Sequence, residues 1–268
     1  MPFRFILALG LGLPLGQAAV ANHLLRVDAG QHDRSGTPVS FTLPDGGQAH
    51  WQLTGPSGKA VAIQTDGLGS ASFIVGKLAA FQTAVYKLSP AAKPTHSNVV
   101  SLVKQNGKLR ITIDDKTVLH YQAEKSGLPR DDLEPIYRRG GYIHPVLTPS
   151  GTVITADYPH NHKHHHGIWF PWTNTIFERR KPDFWNMGKG TGTIEFTGLH
   201  SQWSGPVHAG FSSSHQFVDL IAKPKKVALT ETWRMQVYAT GQAYHLFELE
   251  SVQRCASGSK IQFPQYRY

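Results

Sequence analysis

Residues 158–172 read YPHNHKHHHGIWFPW, which places His160, His162, His164, His165 and His166 within seven positions and follows them with Trp169 and Trp172. An imidazole has an ordinary pKa of about 6.5, so it can pass protons near neutrality, and its neutral ring nitrogen suits zinc or copper. Three chemistries are open: a metal site, an acid/base site for a polyol substrate, and a solvated basic loop whose imidazoles bind metal only incidentally. A bare imidazole cluster repels itself once protonated, so the first two need a compensating partner nearby.

The elements around the run supply one. YIHPVLTPSGTVITADY (142–158) alternates apolar and polar residues on either side of Pro149-Ser150-Gly151 and reads as a hairpin. A turn there sets His144 opposite Thr155 or Ala156 and leaves His144 and Asp157 together at the open end, about 5 to 8 Å apart. If the following run stays extended, His160, His162, His164 and His166 face one way, and Lys163 and His165 the other. On this reading His162 and His164 are a general acid/base pair, or two ligands of a divalent ion such as zinc or copper. His144 and Asp157 orient them or add ligands, and His165 contacts substrate. His120, His200, His208, His215 and His245 stand singly in strand patterns and read as structural or surface residues.

Four of the six tryptophans, Trp169, Trp172, Trp185 and Trp203, lie between 169 and 203. Indoles beside a polar cluster can form a floor for the apolar face of a sugar ring, and Trp169, Trp172 and Trp185 are the candidates. Core packing is the competing role for each one. FERRKPDFWNMGKGTG (177–192) reads as a loop over the same mouth, with Asp183 and Asn186 able to reach inward. An ordinary solvated loop is its alternative.

The rest of the chain reads as strands and turns. Residues 1–21 carry Arg4, an apolar run and Ala19-Val20-Ala21, the pattern of a signal peptide, so the expectation is an exported protein, periplasmic or extracellular. No segment has the roughly 20 apolar residues of a spanning helix. Cys255 is the one cysteine, which excludes an intramolecular disulfide. The net charge of +9 comes from scattered Lys and Arg without a basic stripe interleaved with aromatics, which argues against a nucleic-acid partner.

Short alternating segments from residue 22 to 98 suggest a small N-terminal β-sandwich module, with Ser-Pro-Ala-Ala-Lys-Pro (89–94) as a linker. Longer alternating runs from 99 to 268, including LRITIDDKTVLHYQ with a turn at Asp114-Asp115-Lys116, suggest the main domain. No window of a dozen residues shows a helical period, so the expected class is all-β, an antiparallel β-sandwich. The final IQFPQYRY is strand-like, with the expectation that the natural chain continues beyond it.

The ordered motifs YRRGGYIHPVLTPSGTVITADYPHNHKHHHGIWFPW (137–172), DFWNMGKGTG (183–192), LTETWRMQVYA and LFELESVQRCAS resemble the bacterial family labelled PmoA-like, or methane oxygenase PmoA, over residues 118–268. His144, Asp157, His162, His164, His165 and Gly167 match its histidine-rich signature. Asn161 stands where the family has Asp, and His166 where it has Arg. The methane monooxygenase subunit of that label is an integral membrane protein, and this chain offers no spanning helix for such a role. The resemblance implies instead a secreted or envelope sandwich similar to galactose-mutarotase-like and other carbohydrate-active proteins. Its partner would be a sugar or glycan, processed by hydrolysis, elimination or epimerisation. Two rivals are a non-catalytic carbohydrate- or metal-binding envelope protein and, taking the label literally, a copper-dependent oxygenase. Oligomeric state is not legible.

Overall fold

The computed structural model describes residues 22–266 apart from 45, 48–49 and 94–96, so the expected signal peptide lies outside the described residues. Strands β1 (His23–Asp28), β2 (Arg34–Thr42), β3 (His50–Thr54), β4 (Ala60–Val61), β5 (Ile63–Thr65), β6 (Ser70–Leu78) and β7 (Thr83–Ala91) build two antiparallel sheets, ordered β1-β7-β3-β4 and β2-β6-β5. Alternation drives this. In β7, Ala84, Tyr86 and Leu88 point inward while Thr83, Val85 and Lys87 face water. They pack with Trp51, Leu53, Phe73 and Val75 into one apolar core between the sheets. β7 runs through Ala91, with Pro90 opposite Trp51, so the first half of the expected linker is strand.

The remaining chain forms a larger antiparallel sandwich. β8 (Val100–Gln105), β9 (Lys108–Ile113), β10 (Lys116–Gln122) and β11 (Tyr142–Val146) give one sheet, ordered β11-β10-β9-β8. After the short β12 (Ile176–Phe177), the strands β13 (Gly192–Trp203), β14 (His208–Asp219), β15 (Lys226–Tyr238) and β16 (Leu246–Cys255) form a four-stranded meander, and β17 (Ile261–Gln262) pairs with β12. The β9–β10 turn falls at Asp114 and Asp115, both left-handed at φ 47° and 63°, a conformation that Asp tolerates better than most residues. Leu109, Ile111, Leu119, Tyr121 and Ile143 from the first sheet meet Phe211, Trp233, Met235 and Val237 from the second. Each such side chain contributes about 1.5 to 3 kcal/mol through burial. Among the described residues there is no α-helix, and no helix is long and apolar enough to cross a membrane.

One row of the meander breaks the apolar pattern. Its register sets Phe196 opposite His215, His215 opposite Glu231, and Glu231 opposite Gln253. Along β14 and β15, the neighbouring inward rows are Ser213 with Trp233 on one side and Phe217 with Leu229 on the other. The amino-terminal sheets dock on the meander through Gln64, whose Oε1 accepts the backbone N–H groups of Val207 (3.1 Å) and His208 (3.0 Å).

Candidate functional site

The site grows on the free edge of β11. Ile143 and Ile168 exchange both backbone hydrogen bonds at 3.0 Å, and Ile154 N–H donates to Val146 O at 2.9 Å. Two segments thus lie along one edge and meet where Asp157 bridges His166. Gly167 permits this approach, because a Cβ there would stand 2.0 Å from the carbonyl oxygen of Ile143. Between them the chain makes tight turns. Tyr158 N–H donates to His165 O (3.0 Å), His162 N–H to Pro159 O (3.0 Å) and His165 N–H to His162 O (2.8 Å). The extended alternation expected for 160–166 is therefore replaced by a folded loop. Arg130 holds it through Tyr158 O (2.6 Å), and Lys163 reaches both the backbone and the carboxylate of Asp132.

Folding the loop sorts the histidines differently from an alternating strand. His162, His164 and His165 cluster near the surface, with ring centroids 6.0 Å (162–164), 4.6 Å (162–165) and 4.5 Å (164–165) apart and His165 5.9 Å from Trp185. Burial and the neighbouring imidazoles lower the pKa of His164 and His165. Among the described residues, no group of three or more His, Cys, Asp or Glu side chains is arranged to hold a metal ion. His162 and His164, proposed from sequence as metal ligands, are not part of such a group. His144 lies opposite Thr155, as the turn at 149–151 requires, and engages its hydroxyl through Nδ1 at 2.9 Å. Burial lowers the pKa of His144 while Asp157 raises it.

Asp157 turns to His166, the one member of the run that the fold takes fully inside. Its Oδ1 lies 2.7 Å from His166 Nδ1, and its Oδ2 accepts the Tyr142 hydroxyl at 2.9 Å. The His166 side chain has no solvent exposure, and burial pushes its pKa down to about 4 despite the carboxylate. The ring is therefore neutral at pH 7. With Nδ1–H donated to an acceptor-only carboxylate, the lone pair is left on Nε2, which has no hydrogen-bond partner among the described residues. Tyr142 and Tyr158, each with ring centroids 4.6 Å away, and Trp169 at 5.5 Å enclose it.

Arg139 lies beside this pair. Its guanidinium carbon sits 4.1 Å from the Trp169 ring centroid and 6.0 Å from that of Tyr142, so it shares two walls with His166. It is 1 % exposed, and neither Nη1 nor Nη2 has a partner among the described residues. Burial pushes its pKa down to about 10, which leaves it charged at neutrality. Gly140 and Gly141 bring it inside. A Cβ on Gly140 would lie 2.1 Å from Ala123 O, and Gly141, at φ 78°, would meet the His215 ring at 2.8 Å.

Beyond Gly141 runs the polar row of the meander. Glu231 Oε2 faces His215 Nδ1 at 3.0 Å, its Oε1 accepts Ser251 Oγ (2.6 Å) and Gln253 Nε2 (2.8 Å), and His215 Nε2 lies 2.7 Å from the Tyr121 hydroxyl. Burial alone would raise the pKa of Glu231, but these donors hold it below its ordinary value. Gln253 Oε1 accepts the indole N–H of Trp172 at 2.7 Å, which carries the chain of bonds to the surface. Trp172 is 39 % exposed there, next to Phe263 at 4.7 Å.

Asp183, expected to reach inward, folds its own loop. Oδ1 accepts the backbone N–H groups of Trp185 (3.0 Å) and Asn186 (2.8 Å), while Oδ2 accepts Asn186 Nδ2 and Lys189 Nζ, each at 3.0 Å. Asn186 is thereby a loop residue as well. Sequence reasoning passed over Arg139, Glu231 and Gln253, and read His215 as a structural histidine. The Arg-Gly-Gly preceding β11 was the available signal for Arg139, since two glycines before a buried strand allow close backbone approach.

A family model described as a family of unknown function, DUF6807, matches residues 108–268, the segment that carries the whole of this site. No curated protein matches the chain.

Proposed function

We propose, for a chain that belongs to the family of unknown function DUF6807, that it is an exported enzyme which moves a proton on a sugar or glycoside, with His166 as the acid/base group. One observation carries this reading. Asp157 holds Nδ1 of His166 at 2.7 Å and leaves Nε2 with no partner inside an aromatic enclosure. A carboxylate that fixes the tautomer of a neutral imidazole and stabilises its protonated form is the arrangement a general base needs. Burial works against a charged ring until a reaction delivers the proton.

A sugar as substrate is supported by the rim. Phe170 (38 % exposed), Trp172 and Phe263 (47 % exposed) present aromatic surface, apolar faces on which a sugar ring can rest, and Trp172 is tied through Gln253 to the Glu231–His215 pair. The leader-like residues 1–21 support export. The same exposed aromatics favour a second reading, a non-catalytic carbohydrate-binding protein, which would retain the sugar unchanged. His162, His164 and His165 form a cluster near the surface, and no metal-dependent step is drawn through them.

The test is turnover and solvent-hydrogen incorporation into a panel of sugars and glycosides in deuterated buffer, followed by NMR, for the wild type and His166→Gln. The account expects turnover or exchange in the wild type and a loss of about 100-fold or more in the variant, the usual worth of a positioned acid/base group. Equal rates in both proteins would remove His166 from the chemistry. Binding without any turnover would favour the second reading.

A further inference from the structure

We propose that Arg139 is the seat for a carboxylate carried by the substrate, so that the sugar taken by this site is an acidic one, a uronate or an aldonate. The inference rests on the reading of the site as a sugar site, but on different atoms from those that carry the proton chemistry.

Arg139 is a buried guanidinium that makes no ion-pair contact among the described residues, although the charge of Glu231 acts on it in its favour. A guanidinium is protonated at any physiological pH, and leaving one in a protein interior without a counterion costs several kcal/mol. The carboxylates of the two adjoining carboxylate–imidazole pairs are already engaged. Asp157 is shared between His166 and Tyr142, and Glu231 accepts from His215, Ser251 and Gln253. Among the described residues the Arg139 side chain makes one hydrogen bond, from Nε to Gly140 O at 3.2 Å, and presents both terminal nitrogens without a partner. Those two N–H edges form a planar fork that matches the two oxygens of a carboxylate.

The neighbours narrow the anion further. Among the described residues Arg139 is the one cation against Trp169 and Tyr142, flanked by two carboxylate–imidazole pairs, which favours a single negative charge over a phosphate dianion. Trp233 Nε1 is another buried donor without a partner among the described residues, and its ring packs 4.8 Å from His215. Phe170 lies edge-on to Trp233 at 5.6 Å and is itself 38 % exposed, so it connects Trp233 to the surface. His166 Nε2, the lone pair on the shared Trp169–Tyr142 wall, would face a group next to the carboxylate.

The experiment is a calorimetric titration of the full chain with D-galacturonate and D-glucuronate, each against its neutral parent hexose, for the wild type, Arg139→Gln and His166→Gln. The wild type is expected to bind at least one uronate about 10-fold or more tightly than the parent hexose, as a charge-assisted fork of hydrogen bonds supplies. Arg139→Gln should erase that preference, and His166→Gln should keep it. Should Arg139→Gln not fold, the Nη and Nε nitrogen-15 resonances of Arg139 in the wild type serve instead. They should shift with the uronate and stay unmoved with the hexose. Equal binding of acid and neutral sugar, a preference that survives in Arg139→Gln, or guanidinium resonances indifferent to the uronate would overturn the proposal. A uronate preference without turnover would leave this assignment standing and sink the enzymatic reading alone.

Discussion

Asp157 decides which nitrogen of His166 carries the proton, and that choice sets what the residue can do. As a carboxylate it accepts only, so Nδ1 must be the donor and Nε2 the base. Tyr142 strengthens the arrangement by occupying the second oxygen. An asparagine at this position keeps the size and can present an N–H, which favours the other tautomer. Asp157→Asn is therefore expected to lower turnover about 100-fold or more while leaving the fold intact by circular dichroism. A rate within a few-fold of the wild type would show that the carboxylate is only structural. At this scale the sequence displayed the types of residue but not their pairing. Asp157 was legible as the acidic partner of the histidines because it closes the 142–158 hairpin. Which histidine it meets was not, since that depends on turns at Pro159 and His162 that replace the expected alternation.

The hairpins themselves were legible as elements. LRITIDDKTVLHYQ alternates on both sides of two aspartates, and the structure turns there. YIHPVLTPSGTVITADY keeps a regular first arm, β11, while the return arm contributes only isolated bridges at Val153 and Asp157, because it leaves the sheet edge to carry the loop. The position that holds this edge together is Gly167. Gly167→Ala would force a methyl group onto the Ile143 carbonyl, breaking the double hydrogen bond to Ile168 and shifting His166. The expected loss is about 2 to 4 kcal/mol in the unfolding free energy, measured by urea denaturation, with activity falling in step. A variant as stable as the wild type would mean that the edge relaxes freely and that His166 is not fixed by it. Asp183 illustrates the opposite case. A polar residue in a Gly-rich loop suggested a ligand contact, yet its bonds to Trp185, Asn186 and Lys189 account for both of its oxygens.

Across the whole molecule, buried histidines make the native state sensitive to acid, His166 and His208 most strongly. His208 joins the two sandwiches. Its Nδ1 accepts the Trp203 indole N–H at 2.8 Å, so Nε2 carries the hydrogen that faces Ser72 Oγ at 3.1 Å. Burial and the charge of Arg234 push its pKa down to about 4, as burial does for His166. Both groups bind protons more weakly when folded than the ordinary value near 6.5. The stability they contribute is complete above about pH 6.5 and is lost as pH falls through 4, on the order of 3 kcal/mol for each at most. The melting temperature should therefore be level above pH 7 and drop steeply between 6.5 and 4, with a shallower drop in His208→Gln. A flat profile over that range, or an unchanged slope in the variant, would contradict the assigned protonation states. The all-β class was readable from strand alternation alone. The docking of Gln64 and Ser72 onto His208 was not, because it joins positions separated by well over a hundred residues and no local pattern marks it.

The most direct measurement of the central claim is the nitrogen-15 spectrum of the His166 ring across pH 5 to 8. The account predicts a neutral ring throughout, with Nδ1 protonated and Nε2 bare, and conversion to the Nε2–H form in Asp157→Asn. A ring that gains its second proton near pH 6.5, or one that carries its hydrogen on Nε2 in the wild type, would contradict it.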